Sequence, residues 1–171
     1  MPFQRYATSS SMVSAPASTG AGQGGWLLFD VEGAWFALDI GCLLEIAASV
    51  RIHTLPGRRP PCLLGVGNLR GKLVPCFSLA LFFNVHPGRS ASSEGGSRQR
   101  ALIVAADGGP LVMMVDEVAG IFDLTEGVDG TLGAIGGGMT RYVRSVRRWR
   151  DLDVFLLDHQ RLLAELLERL R

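Results

Sequence analysis

The feature that most constrains this chain is the repeated alternation of short apolar runs with glycine-containing turns. Runs such as WLLFDV and AWFALDI have the length of β-strands and are shorter than ordinary helices. The 171 residues include 22 glycines and 8 prolines, which favour many short strands joined by tight turns over a helical bundle. The sequence therefore predicts a mostly all-β fold.

Three hairpins are predicted where a turn signal separates two apolar runs. The first turn is at Glu32 and Gly33, the second spans Asn68 to Gly71, and the third is formed by Asp107 to Gly109. The segment DVFLLD predicts one further strand. The series LLEIAASVRIHTL reads as one apolar segment that ends at Pro56, before the proline-rich loop GRRPP.

Three segments have the composition of irregular or solvated chain. Residues 1–25 are rich in serine, alanine and glycine and predict a disordered N-terminal tail, which leaves residues 26–171 as the folded domain. The polar stretch 84–99 predicts a loop between two β-rich halves, and the glycine-punctuated stretch 123–139 predicts irregular structure. Two β-barrel subdomains are a reasonable arrangement for these halves.

A C-terminal helix of about 12 residues is predicted from His159 onward. Its leucines recur at a spacing that buries one side, and Asp158 is in place to act as the N-cap. Arg161 with Glu165, and Glu165 with Arg169, form i, i+4 pairs on the other face. Such pairs contribute only a few tenths of a kcal/mol each, so the helix should need packing against the β-structure.

Composition and charge limit the possible partners and the compartment. The net charge is +1 and the charged fraction is 19%, against roughly 25% in an ordinary domain, which favours a surface partly covered by a partner. No signal peptide or membrane span is apparent, so a cytosolic protein without direct membrane insertion is predicted. Cys42, Cys62 and Cys76 lie among apolar neighbours and are expected to be buried free thiols.

No motif for catalysis, cofactor binding or metal binding is found. The glycines that begin at Gly65 resemble a dinucleotide loop, but Arg70 occupies the third glycine position; a P-loop and a GxSxG turn are absent. The three histidines are far apart in sequence. Asp116 and Glu117 are adjacent in an apparent strand and would point to opposite faces, which favours a structural role. An enzyme with an unrecognised site remains a third hypothesis.

One basic run supports an alternative function. Arginines alternate with Tyr142 and Trp149 in RYVRSVRRWR, between Arg141 and Arg150. A small β-barrel that grips phosphates and stacks an aromatic ring on a base would have this pattern. The near-neutral total charge argues against nucleic acid as a partner.

A specific resemblance begins at Gly65, where GVGNLRGKLVPCFSL is similar to the Gly-x-x-Asn-Leu-Arg-Gly-x-x-x-Pro signature of the CheW-like chemotaxis coupling family. Further similarities occur in the same order as in the family, from about Trp26 to Leu170. They include Glu45 and Ile46 in an early strand, VDEV from Val115, and Leu156 to Asp158 before the last helix.

The resemblance implies two intertwined five-stranded SH3-like β-barrels with a C-terminal helix. It also implies a non-catalytic adaptor that connects the cytoplasmic tips of chemoreceptors to the regulatory domain of a CheA-type histidine kinase, within membrane-associated receptor arrays. The receptor-binding residues that it implies are Leu43, Glu45, Asn68, Arg70 and Gly71. The apolar side chain of Leu43 would touch a receptor helix beside the Glu45 and Arg70 charges.

Three positions depart from the family pattern. Ser78 with Leu79 replaces the usual Asp-Leu, and Val112 and Ser145 replace usual glycines. These departures suggest a divergent paralogue, for which surface sensing or pilus control is as reasonable as flagellar chemotaxis.

Overall fold

The computed structural model describes residues 24–85, 99–124 and 138–171. The expected N-terminal tail falls almost entirely outside these ranges. Most of the predicted loop 84–99 and of the irregular stretch 123–139 also lies outside them.

The described part of the chain contains eleven strands and two α-helices. The strands are β1 Trp26–Val31, β2 Ala34–Asp39, β3 Leu43–Ala47, β4 Ile52–His53, β5 Leu63–Leu69, β6 Lys72–Ser78, β7 Arg100–Ala106, β8 Gly109–Val115, β9 Glu117–Phe122, β10 Val143–Trp149 and β11 Leu152–Leu157. The helices are α1 Leu79–Phe83 and α2 His159–Glu168. Short 3₁₀ turns precede β3 and β10.

The strands form two sheets, and the chain passes from the first sheet to the second and back again. One sheet has five strands in the order β10-β11-β2-β1-β9, and the other has six in the order β3-β7-β8-β6-β5-β4. The chain therefore leaves the first sheet after β2 and returns to it at β9. Most neighbours are antiparallel, but β11 with β2 and β6 with β8 are parallel pairs.

The strand counts and closure differ from the two five-stranded barrels implied by the resemblance. The mostly-β class is confirmed, but the second sheet has six strands because β4 is added at its edge, and neither sheet closes by hydrogen bonds among the described strands. Side chains bridge the open sides instead. In the first sheet, the rings of Phe122 on β9 and Trp149 on β10 have centroids 4.9 Å apart, although these strands are the two edges.

Three apolar clusters explain why this arrangement is stable. The largest lies between the two sheets and includes Phe36 and Phe77 together with the buried faces of both helices. A second cluster around Leu28 and Val154 occupies the other face of the five-stranded sheet. A third around Cys76 and Val112 occupies the other face of the six-stranded sheet. Central strands are thus buried on both faces, which accounts for continuous apolar runs such as WLLFDV.

The three predicted hairpins are present as β1 with β2, β5 with β6, and β7 with β8. Both central residues of the first two turns have positive φ, at 52° and 85° for Glu32 and Gly33 and at 52° and 84° for Arg70 and Gly71. This is the type I′ geometry, whose twist matches that of paired strands.

Several boundaries differ from those expected. The apolar series that ends at Pro56 is divided into β3 and β4, which join opposite edges of the six-stranded sheet. The apolar run after Gly71 turns from strand to helix at Ser78, whose hydroxyl caps α1 by accepting a hydrogen bond from the Leu81 N–H at 3.2 Å. The apolar run through Val115 also bends at Asp116, and the chain continues as β9 in the other sheet.

The C-terminal helix agrees with its prediction, with one difference. The Asp158 carboxylate accepts from the Arg161 N–H at 3.1 Å, and Leu162, Leu163 and Leu166 are buried in the largest cluster. The Glu165–Arg169 ion pair forms at 3.1 Å. The Arg161 guanidinium lies 3.3 Å from the Asp158 carboxylate rather than beside Glu165. Asp158 is the N-cap, one turn before Arg161, and its carboxylate also accepts the Arg161 backbone N–H.

Candidate functional site

An ion pair links two strands that are far apart in the six-stranded sheet. Arg70 Nη2 lies 3.1 Å from Glu45 Oε2. Glu45 is on the edge strand β3, and Arg70 is in the turn between β5 and β6, so three strands separate β3 from β5 in sheet order. The side chains are 39% and 70% exposed respectively. The curl of the sheet thus places two opposite charges together on the surface.

The turn residues around Arg70 fix its direction. The Asn68 side-chain oxygen accepts a hydrogen bond from the Gly71 N–H at 2.8 Å, and Gly71 adopts the positive φ that glycine tolerates best. Arg70 has φ 52°, a conformation that favours glycine or asparagine. Asn68 and Gly71 therefore act by building the turn, and Arg70 is the side chain that the turn presents.

Leu43 lies in the core and not on the surface. It is 8% exposed and belongs to the largest apolar cluster. The cause is a β-bulge, in which Leu43 opposes Val104 whereas Glu45 opposes Ile103, so that Leu44 is an extra residue. Two residues that are two apart in a regular strand share a face, but here the bulge turns Leu43 and Glu45 to opposite faces. Leu43 therefore offers little surface to a receptor helix, and its burial does not favour the receptor contact expected from the resemblance.

The exposed apolar side chains beside Glu45 are its two sequence neighbours. Leu44 is 47% exposed and Ile46 is 38% exposed. Ile46 follows Glu45 in regular register and opposes Leu102, so it projects to the face opposite Glu45. Leu44 is the extra residue of the bulge and is not subject to this alternation. No local signal marks the bulge, so the alternation of apolar residues alone was not sufficient to find Leu44.

The other candidate reactive groups have structural surroundings. All three cysteines are buried free thiols, as expected. Burial raises the pKa of the Cys42 thiol to about 12 and that of the Cys76 thiol to about 11. Such thiols stay protonated and are poor nucleophiles at neutral pH. Across residues 24–85, 99–124 and 138–171, no group of three His, Cys, Asp or Glu residues is arranged to hold a metal ion.

Asp116 has a structural role where the chain passes from one sheet to the other. Its carboxylate Oδ2 accepts from the Glu32 backbone N–H at 2.7 Å, and its own N–H donates to the Asp30 carbonyl at 3.0 Å. Glu117 begins β9 and is exposed. The two carboxylates are therefore not arranged as a paired general acid and base.

The basic run between Arg141 and Arg150 contains the edge strand β10. Its two aromatic side chains pack against other side chains of the protein. Tyr142 is 5% exposed, and Trp149 packs on Trp35 and Phe122. The Arg150 guanidinium lies over the Trp149 ring at 4.6 Å, and Arg148 pairs with Asp153 at 3.5 Å. Tyr142 is therefore shielded, and the Trp149 ring is already in contact with Trp35, Phe122 and Arg150, which weakens the support for nucleic-acid binding.

Comparisons with known proteins agree with this fold. The CheW-like domain family model matches residues 25–167, so the chain belongs to the CheW-like domain family. The crystal structure of the scaffolding protein TtCheW from Thermoanaerobacter tengcongensis superposes with a TM-score of 0.62 at 22% identity, over 79% of this chain and 88% of that one. A search of curated protein sequences found no match.

Family membership defines the class of function. CheW-like domains are scaffolds for chemotaxis signalling that couple receptors to a CheA kinase and do not catalyse reactions, and the expectations of an adaptor and of no enzymatic activity are thereby confirmed at that level. Within the described ranges, no helix has the length and apolar character required to cross a bilayer.

Proposed function

We propose that this protein connects the cytoplasmic tip of a chemoreceptor to the regulatory domain of a CheA-type histidine kinase, and that the receptor binds at the Glu45–Arg70 ion pair. The observation that carries this proposal is an exposed ion pair next to the exposed apolar side chain of Leu44, the extra residue of the β3 bulge. We call Leu44, Glu45 and Arg70 the β3 site.

The β3 site has the chemistry needed to receive an amphipathic helix. Leu44 can bury apolar surface against the helix, which stabilises binding by roughly 25 cal/mol per Å² before the costs of association. The charges of Glu45 and Arg70 can fix the register of the helix. The use of arginine at a φ of 52°, where glycine or asparagine would be less strained, supports selection of this side chain for binding.

The pathway that we propose is a dedicated one, such as surface sensing or pilus control, in which the protein is cytoplasmic and associated with a membrane receptor array. The departures from the family pattern support this proposal. Ser78 caps α1, Val112 is buried in the six-stranded sheet, and Ser145 follows the β10 bulge. Genes for a receptor, a kinase and pilus or surface-attachment components beside this gene would support the dedicated pathway, and flagellar genes alone would contradict it.

Calorimetry with two separate probes tests the proposed partners. The probes are the purified cytoplasmic hairpin of a chemoreceptor and the regulatory domain of a CheA-type kinase from the same organism. We expect each probe to bind the wild-type chain, and absence of binding to both would overturn the proposal. Arg144→Asn, at an exposed position in β10, is a matched control for substitutions of Arg70.

A further inference from the structure

A second candidate site lies at the other end of the six-stranded sheet. A cavity of about 350 Å³ opens between the last residues of β6 and β8, helix α1 and the turn between β1 and β2. It adjoins Ser78 at the end of β6, whereas the β3 site adjoins the turn before β6 begins. The cavity and the β3 site are therefore separate surfaces.

The lining of the cavity combines aliphatic and polar side chains. The aliphatic members include Val31, Ile52, Leu64, Leu81, Val85 and Met114, and the polar members are Glu32, Ser78, Gln99 and Asp116. The Leu81 side chain remains 53% exposed on α1, although it is one of the larger apolar groups of the protein. A volume of this size accommodates one or two amino-acid side chains and is at the lower end for ligand pockets.

Two carboxylates, those of Glu32 and Asp116, stand among the cavity-lining residues. The Asp116 carboxylate holds the Glu32 backbone by the 2.7 Å hydrogen bond, and this fixes the turn at a φ of 52° for Glu32. Asp30 is close by, and burial together with Asp116, Glu117 and Glu32 raises the pKa of its carboxyl. The three charged groups that raise this pKa are all acidic, while the Arg100 guanidinium donates to the carbonyl of the lining residue Gln99 at 3.1 Å.

We propose that this cavity is a docking site for a polypeptide segment of a partner protein in which an arginine or lysine lies beside an aliphatic side chain. The aliphatic group enters the cavity against Leu81, and the basic head group lies at the carboxylates of Glu32 and Asp116. Arginine and lysine combine an apolar stem with a terminal cation, and they match a lining that holds aliphatic side chains and the two acidic residues Glu32 and Asp116. The proposal does not depend on receptor binding at the β3 site.

Nuclear magnetic resonance with short peptides tests this proposal on the full chain. The probe is acetyl-Gly-Leu-Arg-Leu-Gly-amide. A peptide with neutral citrulline in place of arginine has the same shape and controls for charge, and one with glutamate reverses the charge. A contact of this size should bind in about the 1–10 mM range, so titration to that range is required.

We expect the arginine peptide to shift the backbone amide signals of Glu32, Gly33 and Leu81 in a saturable manner. The citrulline peptide should bind about fivefold or more weakly, and the glutamate peptide should not shift these signals. Glu32→Gln should weaken binding of the arginine peptide by a similar factor, and Leu81→Ser should weaken both the arginine and the citrulline peptides. Glu168→Gln, at an exposed position of α2, should change nothing.

Three results would overturn the proposal: no shift at these amides with the arginine peptide, equal affinity for the arginine and citrulline peptides, or shifts confined to other surfaces. The spectra of Glu32→Gln and Leu81→Ser show directly whether each variant is folded. If Leu81→Ser is unfolded, Glu32→Gln and the citrulline comparison still decide the outcome, since neither removes apolar packing.

Discussion

Arg70 and Glu45 are 25 residues apart in sequence, yet their side chains meet at 3.1 Å across the open side of the six-stranded sheet. The pair is exposed, and exposed ion pairs contribute only about 0.2–1 kcal/mol to folding. It is therefore too weak to account for the curl of the sheet, which follows from burial of the cluster around Cys76 and Val112. The pair is therefore not required to hold the sheet together, and this supports the receptor-binding role that we propose for it.

Replacement of Arg70 should weaken receptor binding but leave the free energy of unfolding almost unchanged. Asparagine is better suited than arginine to a φ of 52°, and this gain should offset the lost ion pair in Arg70→Asn. We expect the free energy of unfolding to change by less than about 1 kcal/mol, as measured by urea denaturation. A decrease of about 3 kcal/mol or more would show that Arg70 is structural.

Trp149 should be required for closure of the five-stranded sheet. Its ring bridges β10 to Phe122 on β9, so Trp149→Ala should remove the contact between the two edge strands. We expect a loss of about 2–3 kcal/mol, or roughly 5–10 °C in melting temperature, because the ring is only partly buried. Ile121→Ala, at a side chain 54% exposed on β9, is the control and should lower stability much less. Equal losses would contradict the bridging role.

Gly65 should tolerate no side chain. Its φ is 150°, and a Cβ there would collide with the His53 carbonyl oxygen of the neighbouring strand β4. Gly65→Ala should therefore cost more than about 2 kcal/mol, because backbone atoms must move. Gly57 also has a positive φ but faces open space, so Gly57→Ala should cost only about 1 kcal/mol. Thermal denaturation of both variants measures the difference, and a smaller effect at Gly65 would contradict the close approach of β4.

Asp30 should make folding stability depend on pH. Burial, and then the neighbouring carboxylates, raise the pKa of Asp30 in the folded state. The folded state thus favours the protonated Asp30 carboxyl. The stability that this protonated form contributes is lost as pH rises through the pKa of Asp30 in the folded state. Asp30→Asn should accordingly raise the melting temperature at pH 7, by a few degrees at most, and asparagine can still accept from the Gly33 N–H.

The stabilisation by Asp30→Asn should decrease as pH falls through the pKa of Asp30, since the wild-type carboxyl is then neutral as well. Melting curves between about pH 4 and pH 8 give this comparison. Asp151→Asn, at an exposed turn position, is the matched control. A stabilisation that is the same at every pH, or a destabilisation at pH 7, would show that burial of Asp30 is not the cause.

The hairpins and the C-terminal helix were predictable because their signals are local. Glycine turns lie between apolar runs, and the leucines after Asp158 have a helical spacing with an N-cap before them. Helix α1 was missed because five apolar residues after an apolar strand have no period of their own, and only Ser78 marked its start. The basic run of β10 was not predicted as a strand from its own residues, because arginines at an edge obscure the alternation that identifies strands.

The candidate site was predictable only in part. The resemblance identified Glu45 and Arg70, which the fold brings together, but it also implied that Leu43 contacts the receptor. The bulge at Leu44 depends on pairing with β7, more than 50 residues away, and no local pattern reveals it. The apolar part of the site was therefore found only from the three-dimensional pairing of the strands.

The most direct test of the proposed function is calorimetric titration of the Arg70→Asn variant with both probes. We expect at least about tenfold weaker binding to the receptor hairpin and unchanged binding to the kinase regulatory domain, with Arg144→Asn indistinguishable from wild type for both. Unchanged affinity of Arg70→Asn for the receptor hairpin would contradict the proposal that the Glu45–Arg70 pair recognises the receptor.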